Sequence, residues 1–156
     1  MKKVMFAVAM VSMLFMVAAC GAQKNELDDG YALVKQGDCA GAQPYLDATI
    51  ADPEQLMDLA YAYFLKGQCA EKAGDFEAAY KNFYGAKVVT CYAVNEEIHV
   101  NFNTYGRSEF CERIIPEKLA KLHKQIGNDQ TVEAIINTMD EVLNARYLQR
   151  FQKRLD

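Results

Sequence analysis

The chain predicts an all-α fold, a short solenoid of helical hairpins with a long C-terminal capping helix. Three observations predict it. Apolar and small residues recur at three- to four-residue spacing over most of the chain after residue 24. The Gly-Asp pairs Gly37-Asp38 and Gly74-Asp75 interrupt that pattern. The marks around the first pair then return around the second at a fixed offset.

Residues 1–19 are set apart as a leader. Lys2 and Lys3 precede an apolar run from Val4 to Val17 broken only by Ser12, and the stretch ends in Val17-Ala18-Ala19-Cys20. This is the pattern of a secretory signal, and the run falls short of the roughly 20 apolar residues a membrane-spanning helix needs. Its last four residues resemble the lipobox of bacterial lipoproteins. That resemblance implies cleavage before Cys20 and acylation of Cys20, palmitate included, and more than one acyl chain gives a stable membrane anchor. With Gly21 rather than Asp following, the resemblance implies the outer membrane, facing the periplasm. The leader holds two of the 17 basic side chains and none of the 21 acidic ones, so the remainder carries a net charge of −6. An acidic domain of this kind argues against a nucleic-acid partner. Residues 20–24 are the lipidated cysteine and a tether; residues 21–24 reach only about 15 Å, which keeps the domain at 25–156 close to its membrane.

Helices follow at about 25–36, 39–51, 54–73 and 76–90. Pro44 is tolerable if it lies near the first turn of the second helix, and Asp52-Pro53 reads as a turn and helix start. Tyr63, Gly67 and Ala70 form one stripe, Gly74-Asp75 breaks it, and Phe76, Ala79, Phe83 and Ala86 resume it. Small residues at Gly67, Ala79 and Ala86 let two backbones approach, with aromatic rings filling the space around them. Gly30, Gly37-Asp38, Ala42 and Leu46 precede Gly67, Gly74-Asp75, Ala79 and Phe83, each by 37 residues. This pattern resembles the tetratricopeptide repeat (TPR), whose period is about 34, with repeats at about 25–53 and 57–91. Lys66 stands where that family usually has a large hydrophobic residue, and Cys91 where it often has proline.

Beyond Cys91 the pattern fades into a degenerate third unit and capping helices at 92–156. Ile98, Val100 and Phe102 alternate with His99, Asn101 and Asn103, which suits an extended segment as well as a helix. Phe102, Gly106 and Leu122 are candidate relics of a third repeat. Pro116 opens a short helix through Leu119, Leu122 and Ile126, and Gly127 closes it. Val132, Ile135, Ile136, Met139, Val142, Leu143, Tyr147 and Phe151 then give a long helix one broad apolar face, which caps the stack or, alternatively, forms a homodimer seam. Arg146, Arg150, Lys153 and Arg154 close it with positive charge, favourable at a helix C-terminus.

Assigning Cys20 to lipid leaves four cysteines, an even number suited to disulfides in an exported protein. Cys39 opens the second helix of the first repeat and Cys69 lies near the end of the first helix of the second, which packs antiparallel to it. That favours Cys39–Cys69 and leaves Cys91–Cys111. The four show no close ligand spacing, so no metal site is expected. Neither His99 nor His123 has zinc-protease spacing, and there is no phosphate loop, haem-attachment motif or nucleophile elbow. The expectation is a non-enzyme without cofactor. The TPR resemblance implies a peptide-binding groove lined by first helices, carried onto Leu27, Tyr31, Val34 and Lys35 and onto Tyr61, Phe64, Gln68, Glu71 and Lys72. It implies an adaptor for a protein or peptide segment in envelope assembly. The alternatives are a structural subunit whose groove is filled by its own C-terminal helix, with Tyr31 and Phe64 as core, and a small-ligand carrier.

Overall fold

The computed structural model describes residues 25–96 and 102–148. The leader, Cys20 and its tether, the alternating stretch from Ile98 to Asn101, and Arg150, Phe151, Lys153 and Arg154 lie outside the described residues. Those described are helical throughout, apart from short connections. In order they form α1 (Glu26–Gln36), α2 (Cys39–Ala51), α3 (Leu56–Ala73), α4 (Phe76–Glu96), α5 (Phe102–Glu109), α6 (Ile115–Ile126) and α7 (Asp129–Leu143). A π-helical turn, Phe110–Ile114, joins α5 to α6, and a second, Asn144–Leu148, extends α7.

Three hairpins share one turn chemistry. Gly37, Gly74 and Gly127 sit at φ of 86°, 79° and 66°, a region open to glycine without steric cost. At the first two, the glycine and the residue after it donate back to carbonyls of the last helical turn, Gly37 to Val34, Asp38 to Leu33, Gly74 to Glu71 and Asp75 to Ala70. At the third a single bond runs from Gly127 to His123. The next residue then caps the following helix. Asp38 accepts from Gly41 N–H (2.8 Å), Asp75 from Ala78 N–H (3.0 Å) and Asn128 from Thr131 N–H (3.2 Å). The third hairpin, α6 with α7, therefore turns at Gly127-Asn128, 53 residues after Gly74 rather than 37.

Packing between α1 and α2, and between α3 and α4, is set by glycine. A Cβ on Gly30 would lie 2.9 Å from Leu46, and one on Gly67 2.9 Å from the Phe83 ring. The main core gathers Leu59, Tyr63, Phe83, Val89, Ile115, Leu122, Met139, Leu143 and Tyr147, and a smaller cluster holds Leu27, Ala42, Leu46, Ala62 and Leu65. Helix α7 packs against α4 and α6. The Tyr147 hydroxyl donates to the Ile50 carbonyl (2.6 Å), tying the end of α7 to the end of α2.

Several boundaries differ from the sequence expectation for physical reasons. Pro44 is the sixth residue of α2, inside the helix, where it and Ala40 are both solvent-exposed and water can reach the carbonyl it leaves unpaired. Pro53 does not start α3; it is buried, and the helix begins at Leu56. With Cys91 in place of proline, α4 runs on to Glu96. Pro116 does stand in the first turn of its helix, as expected: α6 starts at Ile115, directly after the π turn, and ends at Gly127.

Candidate functional site

Cys39 and Cys69 are bonded, with Cα atoms 5.5 Å apart, and so are Cys91 and Cys111, at 5.2 Å. Both spacings lie in the ordinary disulfide range, and the pairing is the one favoured from the helix order. The first bond joins α2 to α3. The second joins α4 to the π turn and so fixes Phe110, next to Cys111, against the rest of the molecule.

Side by side, α1 and α3 then present a continuous aromatic strip. Tyr31 and Tyr61 have ring centroids 5.9 Å apart, and Tyr61 stacks on Phe64 at 6.4 Å. Phe64 meets Phe83 and Phe110 edge-on, each at 5.4 Å. Edge-on and offset stacking are the preferred arrangements of such rings. Tyr31 and Tyr61 keep 40% and 39% of their surface exposed, while Phe64 is half-buried and Phe83 is fully buried. Partial burial, and then the neighbouring Tyr31 phenol, raises the Tyr61 hydroxyl above its ordinary pKa, so it remains a neutral donor and acceptor at physiological pH.

The strip borders a cleft of about 480 Å³ between α3, α4 and the α5 segment, walled by Met57, Phe64, Ala86, Phe110 and Ile115. Thr90 and Arg107 bring polarity to it. Thr90 is buried and donates its hydroxyl to the Ala86 carbonyl (2.7 Å), leaving the oxygen's lone pairs as acceptors. On the opposite side, between α2 and α7, a second groove of about 600 Å³ has a polar rim that includes Gln43, Lys66 and Lys81. There Lys66, where the repeat pattern usually has a hydrophobic residue, pairs with Asp47 of α2.

The nine residues expected in the groove divide. Tyr31, Tyr61 and Phe64 come together. Lys35 and Gln68 are exposed, and Lys72 reaches the Gly37 carbonyl at 3.4 Å, where it caps α1. Glu71 is engaged by Lys118 of α6, whose ammonium also stands 4.8 Å from the centroid of Phe83. Leu27 and Val34 do not line the surface. Leu27 is buried in the smaller cluster and Val34 packs against it, because α1 lies at the end of the stack and turns its apolar stripe onto α2 and α3.

Gly106 also departs from its expected role. A Cβ there would meet nothing within 4 Å, so it is no counterpart of Gly30 and Gly67. His123 is half-exposed, its Nε2 2.7 Å from Asp129 and its ring edge-on to Tyr80. Phe110 and the cleft were missed from the sequence. The available signal was Cys111, since a Cys91–Cys111 bond brings its neighbour back beside α4.

Among the described residues, no group of three or more His, Cys, Asp or Glu is placed to hold a metal ion, and no helix is long and apolar enough to cross a membrane. The chain matches no known protein-family model, no curated protein and no solved structure.

Proposed function

We propose that this chain is a lipid-anchored, TPR-like adaptor of the bacterial envelope, which binds a protein or peptide segment across the strip formed by Tyr31, Tyr61, Phe64 and Phe110. The observation that carries the binding role is the contiguity of these rings while two of them remain two-fifths exposed. Rigid aromatics clustered on a surface are favoured hot spots, because they bury much area at little conformational cost. The adaptor reading is preferred over the closed-groove reading because α7 packs on α4 and α6, away from Tyr31 and Tyr61. Anchoring through acylated Cys20 and an outer-membrane address facing the periplasm rest on the leader and the Val17-Ala18-Ala19-Cys20 match. Two disulfides suit that oxidising compartment.

The test is crosslinking capture from bacterial envelopes with the full chain, comparing wild type with a Tyr31→Ala, Tyr61→Ala double variant. Both side chains are substantially exposed, so the variant should stay folded. A partner captured by the wild type and reduced at least tenfold in the variant supports the strip as the site. Equal capture by both would place recognition elsewhere, on the α2–α7 side or along α7, where Val142 is 37% exposed and the homodimer alternative would be sought.

A further inference from the structure

We infer that the groove between α2 and α7 is a thiol–disulfide exchange site, at which a protein dithiol reduces Cys39–Cys69 in the folded molecule and so loosens the α1 end of the aromatic strip. The exchange goes beyond the adaptor reading and does not depend on it.

Two features make this bond reachable. Cys39 and Cys69 are both half-buried and both line the groove of about 600 Å³, so the bond belongs to an open wall rather than to the core. Beside them stand Ala40, Ala70 and Ala73, methyl groups where longer side chains would narrow the approach. A groove of this size lies in the range that admits a small molecule or a short segment of another chain. Access to the sulfur is one of the quantities that set the rate of exchange.

The step balances between the two partners. A thiolate of the dithiol attacks one sulfur of Cys39–Cys69, a mixed disulfide forms, and the other cysteine leaves as a thiolate and takes a proton from water. The second thiol of the dithiol loses its proton and displaces the first cysteine. Both cysteines end as thiols and the dithiol ends as a disulfide, two electrons having passed to this chain.

What the bond holds follows from its position. Cys39 is the first residue of α2, and Cys69 lies near the end of α3. At the other end of α2 the Ile50 carbonyl accepts from Tyr147. The α1–α2 hairpin stands at the end of the stack with α3 as its main neighbour, so α2 is pinned at both ends. With Cys39–Cys69 open, the hairpin stays hinged at Ile50 and is held along its length by the smaller apolar cluster and the Lys66–Asp47 pair. A terminal unit with one neighbour opens before the units inside a stack. Tyr31 is carried on α1, so its ring contact with Tyr61 loosens with the hairpin. Cys91–Cys111 closes a different span and leaves α1 and α2 untouched.

The experiment mixes the purified full chain with reduced thioredoxin as the dithiol, alkylates free thiols at intervals and follows each bond by peptide mass spectrometry. A thioredoxin variant that keeps only its attacking cysteine traps the mixed disulfide. In native buffer Cys39–Cys69 should open at least tenfold faster than Cys91–Cys111, with the trap on Cys39 or Cys69. In guanidinium, with dithiothreitol as reductant, the two bonds should open within threefold of each other. Ala73→Phe, at an exposed position one turn from Cys69, should slow the native opening at least fivefold. Hydrogen exchange of the α1 amides should rise at least tenfold once Cys39–Cys69 is reduced, while that of α4 stays within threefold. Ala73→Phe is first confirmed by mass to hold both disulfides, and the wild-type rates stand without it. Equal native rates for the two bonds, trapping at Cys91 or Cys111, opening unchanged by Ala73→Phe, or α1 exchange unaltered by reduction would each overturn the inference. None of these outcomes bears on capture of a protein partner by the oxidised chain through Tyr31 and Tyr61.

Discussion

Gly67 and Gly106 lie in two regions of the molecule that hold their helices together differently. In α1–α4 the backbones touch, with glycine against Leu46 and Phe83, and the interhelical distance is whatever those contacts allow. Around α5 the backbone packs on α4 but does not close onto α3. It is held by the Cys91–Cys111 bond, the π turn and the Phe64–Phe110 contact, and a cavity remains between. Close packing by small residues brings helices into direct contact, while covalent spacing with large rings leaves a cavity. The same residue type serves contact in one region and vacancy in the other.

The largest effect should come from the disulfides. Removing Cys91–Cys111 by a double serine substitution is expected to cost about 3 kcal/mol on a chain-entropy basis, and removing Cys39–Cys69 within about half a kcal/mol of the same, since their spans of 20 and 30 residues differ little. Denaturant midpoints measure both. The comparison is broken if hydrogen-exchange protection of the α5 amides survives loss of Cys91–Cys111, because α5 would then be positioned without its staple.

Next come the glycines, with opposite signs. Gly67→Ala should destabilise by about 1–3 kcal/mol through overpacking against Phe83, a fully buried ring. Gly106→Ala should stabilise by about 0.5–1 kcal/mol, with no contact to strain. Equal signs in equilibrium unfolding would abolish the distinction between the two regions.

The smallest effect at neutral pH is a titration. Burial, then the Tyr147 phenol, pushes Tyr63 up to about 12; burial, then the hydrogen bond to Asp140 (2.9 Å), does the same for Tyr84. A folded-state pKa above the unfolded value near 10 stabilises the fold fully below pH 10 and is lost as pH rises towards 12. Absorbance of ionised tyrosine should show these two resisting titration past pH 11. Tyr84→Phe should flatten part of the alkaline loss of stability, and an unchanged profile would mean that α7 is not held to α4 through that hydroxyl.

Much of α1–α4 was legible because its signals are local. Gly37-Asp38 and Gly74-Asp75 state both the end of one helix and the cap of the next, and the 37-residue offset ties the hairpins together. The same grammar recurs at Gly127-Asn128, but 53 residues on, so a fixed-offset comparison passes over it. In α5 the signals conflict: an alternating stretch precedes it and Pro116 follows, yet a π turn carries the helix across. The strip was half legible. Tyr31, Tyr61 and Phe64 were placed only through the resemblance to the tetratricopeptide repeat, whereas Phe110 arrives from 46 residues beyond Phe64 and needs the second disulfide to place it. Leu27 and Val34 were misassigned because a groove position and a core position on a terminal helix share the same apolar character. No sequence pattern encodes the cleft, which is the volume left when α5 fails to reach α3.

The two disulfides also bear on force. The first joins the hairpin α1–α2 to α3–α4 and the second joins α4 to the π turn, and together they enclose spans of about 50 residues that cannot lengthen while the bonds hold. At about 3.3–3.6 Å per extended residue, the oxidised chain is roughly 170 Å shorter at full stretch than the reduced one. Pulled between its ends, it would still lengthen through the segments outside the two loops, but the limit of its extension would be set by the surrounding thiol chemistry.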